Sequence, residues 1–173
     1  HDALPIFHFD IHEGSTFTLK DQLENGQIDI TTVRTPIVLN GCETHVIEKE
    51  ELLAMAVPEY PLFQNRNTLH LWELLEEPLI LSHRYRKYML SAFERAGFVC
   101  DIYCACEDAR TAMTLAEKGL GIAILPSSML GLSGKLKSCQ ILDADLMTEI
   151  LLAWRKGRLP LEVQEFLKMW RRE

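Results

Sequence analysis

The sequence is poor in the features that announce chemistry most directly. Its five cysteines include no Cys-x-x-Cys pair, so no compact zinc site or thioredoxin-type motif is encoded. An odd number of cysteines without paired spacing reads as free thiols in a reducing compartment. No apolar run approaches the ~20 residues that cross a bilayer. The first residues lack the basic and apolar regions of a signal peptide, so neither a span nor an export leader is expected. Basic residues are also short: 18 Lys and Arg stand against 25 Asp and Glu, a net charge of -7. That balance argues against gripping phosphate backbones, which takes clustered Lys and Arg. There is no P-loop, no dinucleotide fingerprint and no nucleophile elbow. No cofactor and no metal ion is expected.

What the chain does have is an alternation of strand and helix patterns. At 173 residues, 47% hydrophobic and 25% charged, it can build one sizeable core or two small lobes. The most informative stretch runs from Asp108 to Ser128. A helical pattern over 108–118 stops at Gly119, a residue that closes helices in the left-handed conformation. Ile122 to Leu125 is an apolar run of strand length, ended by Pro126 before Ser127 and Ser128. Loops at the carboxyl ends of such strands are where open α/β sheets hold small molecules.

Elsewhere, Phe7, Phe9 and Ile11 alternate with His8, Asp10 and His12, the period of a strand. The polar members, with Glu13, could suggest acid–base work, but a solvated strand face explains them as well. Gly14-Ser15-Thr16 opens a helix through Leu19 and Leu23 that stops at Gly26. Further strands are predicted over 28–33, 51–58, 78–81, 99–106 and 149–154. Helices are predicted over 69–75, over 88–96 with a stop at Gly97, and through Val163, Phe166, Leu167 and Trp170. Residues 130–137 read as loop. Repeated βα units imply a largely parallel sheet flanked by helices. Cys100, Cys104 and Cys106 would share one face of the 99–106 strand. They read as small core hydrophobes rather than a reactive pair.

Short segments then match one family in order. They are His12-Glu13-Gly14-Ser15-Thr16, Leu23 to Ile30, Val33-Arg34-Thr35-Pro36, Glu51 to Leu62, Pro78-Leu79-Ile80, Ala96-Gly97-Phe98, Gly119 to Pro126, and Leu151 to Lys156. The chain resembles the effector-binding domain of a LysR-type transcriptional regulator over nearly its whole length. The resemblance implies an α/β fold of two lobes, periplasmic-binding-protein-like (type 2), joined by two crossover strands near 50–58 and 149–155. Lobe I would comprise residues 1–37 with 156–173, and lobe II residues 38–155. The family's N-terminal winged helix-turn-helix has no counterpart in this chain. Nor have the lobe's first strand and most of its first helix, whose start Ala3-Leu4-Pro5 resembles.

By the same resemblance, a small-molecule effector sits in the cleft between lobes. Thr16 falls where the family places a cleft hydroxyl, at a helix N-terminus that favours an anion; Ser15 is the adjacent alternative, and an ordinary cap is the competing role. Arg34 and Thr35 end a strand at the crossover, where a guanidinium fork suits a carboxylate and equally an ion pair. Ser82, His83 and Arg84 follow a strand of lobe II and face the cleft by family analogy. Ser127 would line the same cleft. Asp108 reads as a helix cap. The implied protein is a cytoplasmic bacterial homodimer or tetramer that reaches promoter DNA only through the absent domain and does not touch a membrane. A secreted solute-binding protein and an enzyme are rival uses of the same fold.

Overall fold

The alternating patterns become eight strands and four α-helices among the residues that the computed structural model describes, 6–171. In chain order they are α1 (Thr16–Glu24), β1 (Ile30–Arg34), β2 (Cys42–Ala56), β3 (Thr68–Leu69), β4 (Leu79–Ser82), α2 (His83–Arg95), β5 (Cys104–Cys106), α3 (Ala109–Glu117), β6 (Ile122–Pro126), β7 (Lys137–Ile141), β8 (Met147–Arg155) and α4 (Leu161–Trp170). Short 3-10 turns cover Pro61–Phe63, Leu71–Leu74 and Ser127–Leu132. The chain divides into two compact units, one of His1–Ile47 with Ile150–Glu173 and the other of Glu48–Glu149. β2 and β8 carry the chain from the first unit to the second and back. The sequence-based division at 37/38 and 155/156 assigns more of these two strands to the second unit.

In the first unit, β1 pairs antiparallel with β8, from Ile30 opposite Trp154 to Arg34 opposite Ile150. Alternation along β8 separates two thin cores. Leu151 and Ala153 pack with Leu23 of α1 and Val33. Leu152 and Trp154 pack with Val163 and Leu167 of α4. Arg155 ties the layers together: its Nη1 donates to the carbonyls of Leu23, at 2.8 Å, and Ile28.

In the second unit, β4 lies between β5 and β6 and is parallel to both. β2 runs antiparallel to β6 and to β7, and β7 also pairs with β3. Period-two alternation again sorts the core. Leu79, Leu81, Ile122 and Ile124 face a cluster with Tyr85, Met89 and Phe93 of α2. Ile80, Ala123 and Leu125 face Ala112 and Ala116 of α3, where small residues let helix and sheet come close. Every residue of β4 and β6 is buried, as a strand covered on both faces requires.

Several expected elements differ. Residues 7–12 form no strand, because alternation alone does not make one: a strand needs a partner ladder, and none lies beside this segment among the described residues. The expected 99–106 strand is only Cys104–Cys106; Val99 is 99% exposed and cannot be a core position. The 69–75 helix is a 3-10 turn over Leu71–Leu74. Of the loop expected over 130–137, residues 133–136 are irregular, the first three end a 3-10 turn, and the last begins β7, which was unforeseen. Ala3-Leu4-Pro5 lies outside the described residues.

Candidate functional site

Three parallel strands of the second unit end together. β4 closes at Ser82, β5 at Cys106, and β6 at Pro126. Ser82 pairs in register with Cys106. It is also the N-cap of the 13-residue helix α2, yet its side chain makes no capping hydrogen bond. It is 6% exposed. The first-turn N–H groups and the positive end of α2 favour an anion there.

The neighbours set the local charge. His83 opens α2, with its Nε2 3.5 Å from Oε1 of Glu107 just beyond β5. Arg84 is half-buried and its guanidinium lies 6.0 Å from the centre of the Tyr85 ring. Asp108 is already used, accepting from the Arg110 N–H at 2.7 Å as the cap of α3. Ser127 begins the 3-10 turn after β6 and is half-buried. Burial, reinforced by neighbouring Cys104, pushes the Cys106 thiol up from its ordinary range. Its Sγ donates to the carbonyls of Leu81 and Asp108, at 3.5 and 3.4 Å.

One functional candidate escaped the sequence reading. Glu50 is 4% exposed and accepts a hydrogen bond from Ser128 Oγ at 3.1 Å. It sits in the run Glu48-Lys49-Glu50-Glu51, which reads as a solvated face. The available signal was parity: Glu50 is in step with Leu52, Ala54 and Ala56, all buried on β2.

In the first unit, Ser15 and not Thr16 caps α1. Ser15 Oγ accepts from the Thr18 N–H at 3.1 Å and lies 3.0 Å from the Thr18 hydroxyl. Thr16 is the first helical residue and is 8% exposed. The role of a plain cap therefore belongs to Ser15. Arg34 closes β1, and Thr35 follows, joined to Pro36 by a cis peptide bond. The structure thus brings Ser15 with Thr16, Arg34 with Thr35, and Ser82, His83 and Arg84 with the strand end that leads to Ser127. A cavity of about 580 Å³ in the first unit is lined by none of these eight residues.

The described residues contain no helix long and apolar enough to cross a membrane. Among relatives, the chain is 27% identical over 96% of its length to the HTH-type transcriptional regulator YybE of Bacillus subtilis, covering 58% of that protein. It is 25% identical over 92% of its length to the regulator CatR of Pseudomonas putida, covering 56% of it. The chain therefore spans a little over half the length of these curated relatives. Among solved structures, it is similar to the effector-binding domain of QuiR in complex with shikimate, with a TM-score of 0.78 and 21% identity over 90% of this chain and 76% of that one. The BenM effector-binding domain with its effector benzoate matches with a TM-score of 0.73 and 23% identity over 92% of this chain and 75% of that one. These likenesses carry the fold: an α/β architecture of the periplasmic-binding-protein type. The family model for the LysR substrate binding domain matches residues 1–173, and the chain belongs to that family.

Proposed function

We propose that this chain is the effector-sensing part of a cytoplasmic bacterial transcriptional regulator, not an enzyme, and that its effector is a small organic anion. The observation that carries the reading is Ser82, a buried residue at the N-terminus of a long helix and the carboxyl end of a parallel strand, whose side chain makes no capping hydrogen bond. Thr16 is likewise buried at a helix N-terminus in the first unit. We assign recognition to Thr16, Arg34 and Thr35 on one unit and to Ser82, His83, Arg84 and Ser127 on the other, with Ser15 holding the α1 end in place. The ligands named for two structural neighbours, benzoate and shikimate, are both carboxylates, the charge these groups favour. In the full protein, which we propose is a homodimer or tetramer, an effector that prefers one conformation shifts the population toward it. Promoter DNA is then met by a domain outside this chain.

Calorimetric titration tests this. Benzoate, shikimate and a panel of small carboxylates are compared with their neutral amides. A carboxylate binds and its amide does not. Losing a charge-assisted contact costs about 1.5–3 kcal/mol, so Arg34→Ala weakens binding roughly tenfold or more. Ser82→Ala and Thr16→Val weaken it less, because backbone donors remain. Equal binding of acid and amide, or full affinity in both Arg34→Ala and Ser82→Ala, overturns the assignment.

A further inference from the structure

The chain contains two Asn-Gly steps, Asn25-Gly26 and Asn40-Gly41. The pairing matters chemically because glycine has no side chain to shield its backbone nitrogen. That nitrogen can reach the side-chain carbonyl of the preceding asparagine and close a five-membered imide. Both steps lie in the first unit, and all four residues are exposed. Hydrogen bonding separates them.

Asn25-Gly26 is built into the end of α1. Asn25 is the C-cap, and its N–H donates to the Asp21 carbonyl at 2.9 Å. The Gly26 N–H donates to the Leu23 carbonyl at 3.1 Å, and the Gln27 N–H to the Gln22 carbonyl at 2.8 Å. Arg155 clamps the same turn through the Leu23 and Ile28 carbonyls. Its Cζ lies 4.0 Å from where a Gly26 Cβ would stand. The nitrogen that would attack is committed to the helix end, and freeing it means opening that turn.

Asn40-Gly41 lies in the connection between β1 and β2. Gly41 accepts from the Lys156 N–H at 2.9 Å through its carbonyl, while its own N–H donates no hydrogen bond among the described residues. Nothing stands within 4 Å of its Cβ position. Asn40 is held at its backbone: its N–H donates to Glu24 Oε1 at 2.7 Å, and its carbonyl accepts from Cys42 Sγ at 3.3 Å. Its side-chain amide also meets the Glu24 carboxylate. A carboxylate only accepts, so the NH2 is the end it draws.

We infer that Asn40 is a site of spontaneous covalent modification in the folded protein, and that the fold protects Asn25. The Gly41 nitrogen gives up its proton to hydroxide and bonds to Cγ of Asn40. The Cγ–N bond breaks, and the amide leaves as ammonia. Water then opens the imide. Opening at one carbonyl gives aspartate. Opening at the other gives isoaspartate, in which the main chain runs through the side-chain carbonyl and is one carbon longer. Either product sets a second carboxylate beside Glu24, which already pairs with Lys20 at 3.0 Å. Lys156 is six positions beyond Ile150, the partner of Arg34, so the site lies ~20 Å along β8 from Arg34. The proposal does not rest on the effector assignment.

The test keeps the whole chain folded in mildly alkaline buffer made with heavy-oxygen water and maps its peptides by mass spectrometry over time. A urea-unfolded sample runs alongside and gives each step its intrinsic rate. Relative to those rates, Asn40 in the folded chain converts at least tenfold faster than Asn25, which must first lose two or more hydrogen bonds. The product carries one heavy oxygen, isoaspartyl exceeds aspartyl, and the folded protein shifts to the acidic side on isoelectric focusing. Asn40→Gln, which would have to close a six-membered ring, abolishes most of that shift. Equal protection of the two steps, or faster conversion of Asn25, overturns the proposal. So does an acidic shift that persists undiminished in Asn40→Gln. Aspartyl product without isoaspartyl means direct hydrolysis of the side chain and overturns the imide route.

Discussion

Two glycines two positions apart do different work, and only a structure separates them. Gly119 has φ +76 and open space around it, so its role is the left-handed turn that ends α3. A Cβ on Gly121 would lie 2.2 Å from the carbonyl oxygen of Pro78. That same carbonyl accepts the Ile122 N–H at 3.0 Å, the contact that starts the β4–β6 pairing. Backbone cannot move aside there as a flexible side chain can. Gly121→Ala is expected to cost about 1–3 kcal/mol, the usual range for overpacking. At this chain length that lowers Tm by roughly 2–12 °C. Gly134→Ala, with nothing within 4 Å and no positive φ, is the control and leaves Tm unchanged. Scanning calorimetry of the two variants decides; equal melting temperatures would remove the close-approach argument. In the sequence, Gly119 announces a helix stop through its place after a periodic run, whereas the need for Gly121 arises from Pro78, 43 positions earlier, and leaves no local trace.

Elements were legible where their signal was local and obscure where it came from elsewhere. The caps and stops of α1, α2 and α3 are written in Ser15, Asp108, Gly26, Gly97 and Gly119, and the structure uses them all. β4 and β6 are continuous apolar runs because both faces are covered. β7 was missed since Lys137, Ser138 and Gln140 mask a strand defined by its neighbours β2 and β3. Of the site, the helix N-termini could be read directly, while Ser82's missing cap bond and Glu50's burial are tertiary facts. The segment over 66–74 shows the same limit. Glu73 accepts from Arg66 Nη2 at 2.7 Å and from the His70 N–H at 2.8 Å, bracing a 3-10 turn that propensity alone renders as a helix. The Arg66 hydrogen bond, with the His70 N–H in support, holds the Glu73 carboxyl below its ordinary value of 4.5. The folded state then binds this proton less tightly than the unfolded chain. The contribution is complete above pH 4.5 and fades as pH falls through the lower, folded value. Glu73→Gln is therefore expected to melt lower than the parent at pH 7, with the gap narrowing as pH falls from 7 to well below 4.5. Thermal melts across that range measure it, and a gap that widens on acidification would show that the sign is wrong.

At the scale of the molecule, the two units differ in how the chain makes them. The first is assembled from two separated stretches, and the second is one uninterrupted run, Glu48–Glu149. Each hydrophobic cluster lies within one unit. Those of the second join β4 and β6 to α2 on one face and to α3 on the other. Its long-range ties are internal too: Leu52 N–H reaches the Leu146 carbonyl at 2.7 Å, and Leu71 N–H reaches Asp143 at 2.6 Å. A contiguous segment of about a hundred residues with a core on both sides of its sheet has what independent folding requires. The peptide 48–149 is expected to unfold in a single cooperative transition in urea, with a slope scaled to its smaller buried surface. The stretch 1–47 alone is expected to show no such transition, because among the described residues β1 has its ladder only with β8. Circular dichroism in urea distinguishes the cases. A broad, non-cooperative change in 48–149 would mean that the second unit depends on the first for its packing. The proposed effector residues Ser82, His83, Arg84 and Ser127 all lie on 48–149, so a cooperative fragment would also allow their share of binding to be titrated without Thr16, Arg34 and Thr35. If recognition draws on both units, that fragment binds the same carboxylate at least tenfold more weakly than the whole chain, the loss expected once the Arg34 contact is gone.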